Sequence, residues 1–335
     1  MLLKDAAMTK PVLICAADIA HLPETRAILE AAFELRVARP ATPEALARAL
    51  PEADAYFAAL ETRLTDDLLA LAPRMKAIAT PSTGLDHLDL EAAARRGIAV
   101  LGLKDERELL DRITATAELA WALVLACARR LPAAFDASRR GLWARDALRG
   151  HQLAYKTFGI VGCGRLGTIV ADYARAFRMD VLGHDLRDVR LPGVERVGFE
   201  TLLQRADVVS IHIHLTTANR GLFSREVLGR MKPGAVLINT SRGAIVDEAA
   251  VLEALESGHL GAYGTDVIDG EWRADLDQHP LIAYARDHDN CVITPHVGGV
   301  TFESQAMAYG HAAKMLVEYF KNSDPATAGT PRKER

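Results

Sequence analysis

The chain is poor in cysteine and shows no cysteine pattern. Cys15, Cys127, Cys163 and Cys291 are scattered, without CxxC or paired spacing, which speaks against a disulfide framework or a zinc knuckle. No apolar run approaches the ~20 residues that cross a bilayer. The opening MLLKDAAMTK holds no signal-peptide core, so the cytoplasm is the expected compartment and no membrane partner is expected. Charge of one sign is also scarce. Forty Lys and Arg against 44 Asp and Glu leave a net charge of −4, no electrostatic reason to expect nucleic acid as a partner. What remains is a soluble globular chain of 335 residues, long for one core and comfortable for two domains. The polar tail DPATAGTPRKER is expected to be disordered.

Apolar runs and helical patterns alternate along most of the chain. PVLICA (11–16), AYFAAL (55–60), KAIATPS (76–82) and IAVLGL (98–103) read as buried strands, with helical patterns between them. A helical connector over about 113–131 follows. A second series then has strands at 157–162, 180–185, 207–213, 235–240, 261–267 and 291–295. Strands separated by helices mean right-handed crossovers and parallel sheets. The fold class expected is therefore α/β, with two Rossmann-like or flavodoxin-like parallel-sheet domains and a cleft between them. Ligands in such folds sit beyond the carboxyl ends of the strands.

The strongest motif follows the first strand of the second series. Gly162, Gly164 and Gly167 form G-x-G-x-x-G between a strand and a helix whose apolar face is Leu166, Ile169, Val170, Tyr173, Ala174 and Phe177. The glycines permit a tight turn, a close approach to pyrophosphate and close helix packing, and the helix N-terminus receives the anion. Asp185 ends the next strand, 18 residues after Gly167. A carboxylate there accepts ribose hydroxyls and repels a 2′-phosphate, favouring NAD. Arg187 would serve a phosphate if it turned inward, so NADP stays open.

Three reactive side chains fall at strand ends. Arg242 lies in NTSRG, Glu271 and Asp266 follow the strand GAYGTDV, and His296 lies in TPHVGG, where Gly298 and Gly299 allow close backbone approach. Histidine can supply the proton that a carbonyl needs to become an alcohol. A carboxylate beside it orients the ring and favours its charged form, and a guanidinium suits a 2-oxo acid. By position alone they could equally be three unrelated surface residues. His212 and His214 alternate along a strand but lack partners at ligand spacing, so they read as cofactor-loop or core histidines and no metal is expected.

These motifs, with STGLDHLDLEAAARRGIAV (82–100), TAELAWALVLACARR (116–130) and GLW (141–143), resemble the D-isomer-specific 2-hydroxyacid dehydrogenase family. The resemblance implies NAD-dependent interconversion of a small 2-hydroxy acid and its 2-oxo acid, with Arg242, Glu271 and His296 as catalytic residues. It implies cofactor contacts at Gly162, Gly164, Arg165, Leu166, Gly167, Asp185, His212, Ile213, Thr240, Ser241, Arg242, Asp266, His296, Gly298 and Gly299. Ser82, Thr83 and Gly84 would bind the substrate carboxylate together with Arg242. Residues 1–110 with 303–335 would form the substrate-binding domain and 111–302 the NAD-binding domain, through which the family usually forms a homodimer.

Departures from the family pattern are His214 where a proline is expected and Trp272 after Glu271. Ala59, where phosphoglycerate enzymes carry arginine, counts against 3-phosphoglycerate, as does the lack of room for a regulatory domain; Glu271 counts against formate. Some members act as NAD(H)-sensing protein-binding modules with little turnover, the alternative reading, but no long motif-bearing extension supports it here.

Overall fold

The computed structural model describes residues 10–323. The first nine residues and the tail expected to be disordered lie outside them. Two compact units emerge: one runs to Ile113 and resumes at Phe302, the other is Thr114–Thr301.

The first unit holds a parallel sheet of β1 (Val12–Cys15), β2 (Glu34–Val37), β3 (Ala55–Phe57), β4 (Ala77–Ala79) and β5 (Ala99–Leu101), in the order β2-β1-β3-β4-β5. Because side chains alternate across a strand, Val12, Ile14, Tyr56 and Ile78 enter one core. Leu13, Cys15, Phe57 and Ala79 enter another on the opposite face. The final helix, Phe302–Ser323, packs in that second core through Ala308, Ala312, Ala313 and Leu316. Sequence reading missed β2. It lies at the sheet edge, and its Glu34 and Arg36 pair with each other at the surface, which breaks the apolar run.

The second unit contains β6 (Thr157–Val161), β7 (Asp180–His184), β8 (Glu195–Arg196), β9 (Val208–Ile211), β10 (Ala235–Asn239), β11 (Leu260–Thr265) and β12 (Cys291–Ile293). Their order is β12-β11-β10-β9-β6-β7-β8, all parallel. Strand order therefore reverses between β6 and β9, where an open parallel sheet leaves a crevice for a dinucleotide. Phe158, Ile160 and Val208 pack under the helices Ala115–Arg129 and Arg165–Ala176. Val161, Val209, Leu237 and Tyr263 fill the other face.

The connector helix expected over about 113–131 is Ala115–Arg129, and a second helix, Leu131–Arg139, follows it. Arg130 breaks them with a φ of +49°, a left-handed conformation uncommon outside glycine. Its side chain is held by Asp289 at 2.5 Å and by Ala147 O at 2.9 Å. Phe177, placed on the buried helix face by its spacing, is 41% exposed; it caps the helix and its ring leans on Trp121.

Among the described residues no helix is long and apolar enough to cross a membrane. Nor do three His, Cys, Asp or Glu side chains gather there as metal ligands. The four cysteines are buried free thiols.

Candidate active site

The crevice at β6 is shaped by close backbone packing. Gly162 has a φ of +101°, and a Cβ on it would lie 2.4 Å from His212 O and 2.7 Å from the Ile213 side chain. A Cβ on Gly167 would lie 2.1 Å from Gly162 O, whereas one on Gly164 would meet nothing within 4 Å. So two glycines close the turn and the third faces open space. The helix beginning at Arg165 has no side-chain cap, leaving first-turn N–H groups for an anion. Leu166 packs into the core beneath. Burial pushes the thiol of Cys163, between two of the glycines, up to about 11.

Asp185 follows β7 with its side chain 9% exposed. Burial opposes its charge, but the Arg187 guanidinium and N–H groups of Arg187 and Cys163 hold the carboxyl below its ordinary value. Cys163 N donates to Oδ2 at 2.9 Å and Arg187 N to Oδ1 at 2.9 Å. After β9, His212 N donates to Val161 O, and its ring Nε2 lies 2.9 Å from Ser210 Oγ. Burial pushes this imidazole down to about 4, so it is neutral at pH 7. His214 lends its carbonyl to Asn219 Nδ2 at 2.8 Å.

The end of β10 is a folded turn, not a chain exit. Asn239, fully buried, donates from Nδ2 to Arg242 O at 2.9 Å and accepts from Ser241 N at 3.0 Å. Ser241 Oγ donates to Ile211 O, tying the turn to the crevice. Arg242 is half-buried, its Nη1 donating to Ser241 O at 2.8 Å. Gly243 then presses on the loop after β11: a Cβ there would lie 2.1 Å from Asp269 N and Ile268 C.

That loop carries Glu271. Its two carboxylate oxygens each lie 2.9 Å from His296 Nδ1, leaving Nε2 as the ring nitrogen for another partner. His296 has a φ of +54°, held by its N–H donating to Asp266 O at 2.9 Å. The Asp266 carboxylate is buried and accepts from Thr294 Oγ1, Val297 N and Gly298 N at 2.5, 2.9 and 2.7 Å. Burial raises its pKa against those three bonds. Asp266 thus ties the histidine loop together, and Gly298 leaves room for it, since a Cβ would lie 2.9 Å from Oδ2. Gly299 follows in open space.

In the first unit, Ser82 Oγ donates to Gly84 O at 2.7 Å and lies 2.9 Å from Thr80 Oγ1. His87 Nε2 lies 3.1 Å from that same hydroxyl. Ser82, Thr83 and Gly84 are half-buried. Thr80 and His87, which brace this loop, were missed by sequence reading, as was Thr294.

The residues present fit a dinucleotide. The space beside Gly164 and the uncapped helix start suit a pyrophosphate. Thr240 Oγ1, on the turn after β10, is buried without a protein hydrogen-bond partner, as a polar atom awaiting a ligand would be.

Comparison with known proteins places the chain in a family. Residues 121–298 match the D-isomer specific 2-hydroxyacid dehydrogenase, NAD binding domain. A D-3-phosphoglycerate dehydrogenase of Mycobacterium bovis is 37% identical over 306 residues, 90% of this chain and 55% of that protein. The chain thus spans about half the length of such relatives. A glyoxylate reductase of Aeropyrum pernix is 36% identical over 321 residues, covering 90% of this chain and 91% of that one. A crystal structure of D-lactate dehydrogenase from Aquifex aeolicus, complexed with NAD and lactic acid, aligns with a TM-score of 0.79 at 27% identity, covering 93% and 96% of the two chains. With a family model matching more than half of its length and relatives above 30% identity over most of it, the chain belongs to the D-isomer-specific 2-hydroxyacid dehydrogenase family.

Proposed function

We propose that this protein is an NAD-dependent oxidoreductase that interconverts a small D-2-hydroxy acid and its 2-oxo acid. The observation that carries the proposal is the Glu271–His296 pair, 2.9 Å apart at the ends of β11 and β12. It shares its sheet with the glycine turn of the family's NAD-binding domain. Relatives named glyoxylate reductase and hydroxypyruvate reductase support the substrate class.

Bound NADH supplies the hydride. The chain's residues do the rest. Gly162, Gly164 and Gly167 with the Arg165 and Leu166 helix start hold the pyrophosphate, and Asp185 the adenosine ribose. His212, Ile213, Thr240, Ser241, Asp266 and Gly298–Gly299 border the nicotinamide end. His296 gives the proton to the carbonyl oxygen from Nε2, while Glu271 fixes the ring through Nδ1. Arg242 pairs with the substrate carboxylate through its planar fork, and the backbone of Ser82, Thr83 and Gly84 takes that carboxylate too. In oxidation the neutral histidine accepts the proton. In this reading 1–110 with 303–335 bind substrate and 111–302 bind NAD.

The protein is further read as a cytoplasmic homodimer joined through the NAD-binding unit. Exposed apolar side chains of that unit, Phe135, Leu142 and Trp143, support the dimer. Light scattering that finds a monomer at micromolar concentration would remove it.

The deciding assay is NADH oxidation at 340 nm across a panel of 2-oxo acids. Turnover that disappears in His296→Ala is expected. Tight NADH binding without turnover on any 2-oxo acid would refute the enzyme and point to an NAD(H)-sensing module.

A further inference from the structure

A buried acid and a buried histidine outside the catalytic set converge on one peptide. Glu248 opens the helix Glu248–Glu256, and His279 immediately precedes the helix Pro280–Asp287. Their side chains are 13% and 4% exposed, with His279 Nε2 3.2 Å from Glu248 Oε2. Glu248 Oε1 accepts from Asp269 N at 2.8 Å. His279 Nε2 also lies 3.1 Å from Asp269 O. Both backbone polar groups of Asp269 are thus held by two helix starts.

Asp269 sits where the candidate site is hinged. Gly243, next to Arg242, packs on the Ile268–Asp269 peptide so closely that no Cβ fits. Two residues on, past Gly270 with its φ of +77°, comes Glu271. An acid and an imidazole are costly to bury, and the chemistry proposed above does not use this pair.

We propose that Glu248 and His279 are positioning residues that clamp the Asp269 peptide, fixing the reach of Glu271 to His296 and the seat of the Arg242 turn. In this clamp His279 Nε2–H donates to Asp269 O and faces Glu248 Oε2. This role rests on the function proposed above, because the groups it positions are the proton donor's partner and the substrate's cation.

The test uses Glu248→Ala and His279→Ala in the full chain, with Glu248→Met and His279→Leu as volume-keeping versions should alanine prevent folding. A displaced catalytic group costs rate more than binding, so kcat should fall roughly tenfold to a hundredfold while NADH affinity, read by fluorescence titration, stays within about twofold. His279→Gln, which keeps a donor at a similar reach, should restore most of kcat. In a Glu271→Gln background the further loss should be smaller than in the wild type, since part of the clamp's effect passes through Glu271 and the rest through the Arg242 turn. Amide exchange over 266–273 should quicken in the clamp variants. Folded variants with unchanged kcat, or losses that multiply fully with Glu271→Gln, overturn the clamp. If the wild type turns over no 2-oxo acid, it is the proposed function that fails. The exchange measurement then decides the clamp alone, and an unchanged 266–273 segment overturns it.

Discussion

Glu271 meets His296 with both carboxylate oxygens at 2.9 Å from a single ring nitrogen, Nδ1. The two side chains are 16% and 26% exposed, enclosed enough for the pairing to matter and open enough for substrate to reach Nε2. Glu271→Gln keeps an acceptor for Nδ1–H but loses the carboxylate charge beside the ring. Reduction of a 2-oxo acid should then slow by roughly 10²-fold in kcat, with NADH affinity unchanged in a fluorescence titration. Full kcat in the Gln enzyme would mean that the carboxylate's charge is idle.

Arg242 stands at the end of an apolar strand because Asn239, fully buried, folds the turn back on Arg242 O. Lysine would keep the charge but lose the planar pair of donors. Arg242→Lys should cost about 2 kcal/mol of substrate recognition, roughly thirtyfold in kcat/KM, chiefly as a higher KM for the oxo acid. Wild-type kcat/KM in this variant would return Arg242 to a structural role.

Much of this site was legible in the sequence because its signals are local. The glycine spacing, Asp185 at a strand end and the PHVGG turn each sit within a few residues. Long-range pairings left no such trace. Glu248 and His279 are 31 positions apart, and each reads as an ordinary helix start, an acid in a first turn and a residue before proline. Asp266 reads as a cofactor contact from its place at a strand end; that its carboxylate also accepts from Thr294, Val297 and Gly298 is visible only once β11 and β12 are side by side. Short elements were also lost: β8 has two residues, and the helices Phe199–Arg205 and Arg225–Gly229 are too short to show a period.

Asp185 is fixed before any ribose arrives, by Cys163 N on one oxygen and by Arg187 on both. It should therefore accept ribose hydroxyls without reorganisation and repel a 2′-phosphate. Asp185→Ala should weaken NADH about tenfold and bring the dissociation constants for NADH and NADPH closer together. Arg187→Ala tests the other side: if it weakens NADPH far more than NADH, the arginine already serves a phosphate and strict NAD preference is wrong.

Burial raises the Glu248 carboxyl from 4.5 to about 7, with the nearby Asp269 and Asp247 charges adding to the rise and the Asp269 N–H opposing it. The native protein therefore keeps this proton where the unfolded chain has already released it. For an acid whose native pKa is raised, the stabilising contribution is fully present below the unfolded value near 4.5. It is lost as pH rises through about 7. The shift sets a ceiling of about 3 kcal/mol on that loss. Glu248→Gln cannot titrate. The melting temperature of the wild type relative to this variant should therefore decline between pH 5 and pH 8, while the other carboxylates, common to both proteins, cancel in the difference. A wild-type advantage that is flat or grows with pH would show that the native carboxyl is ionised throughout that range.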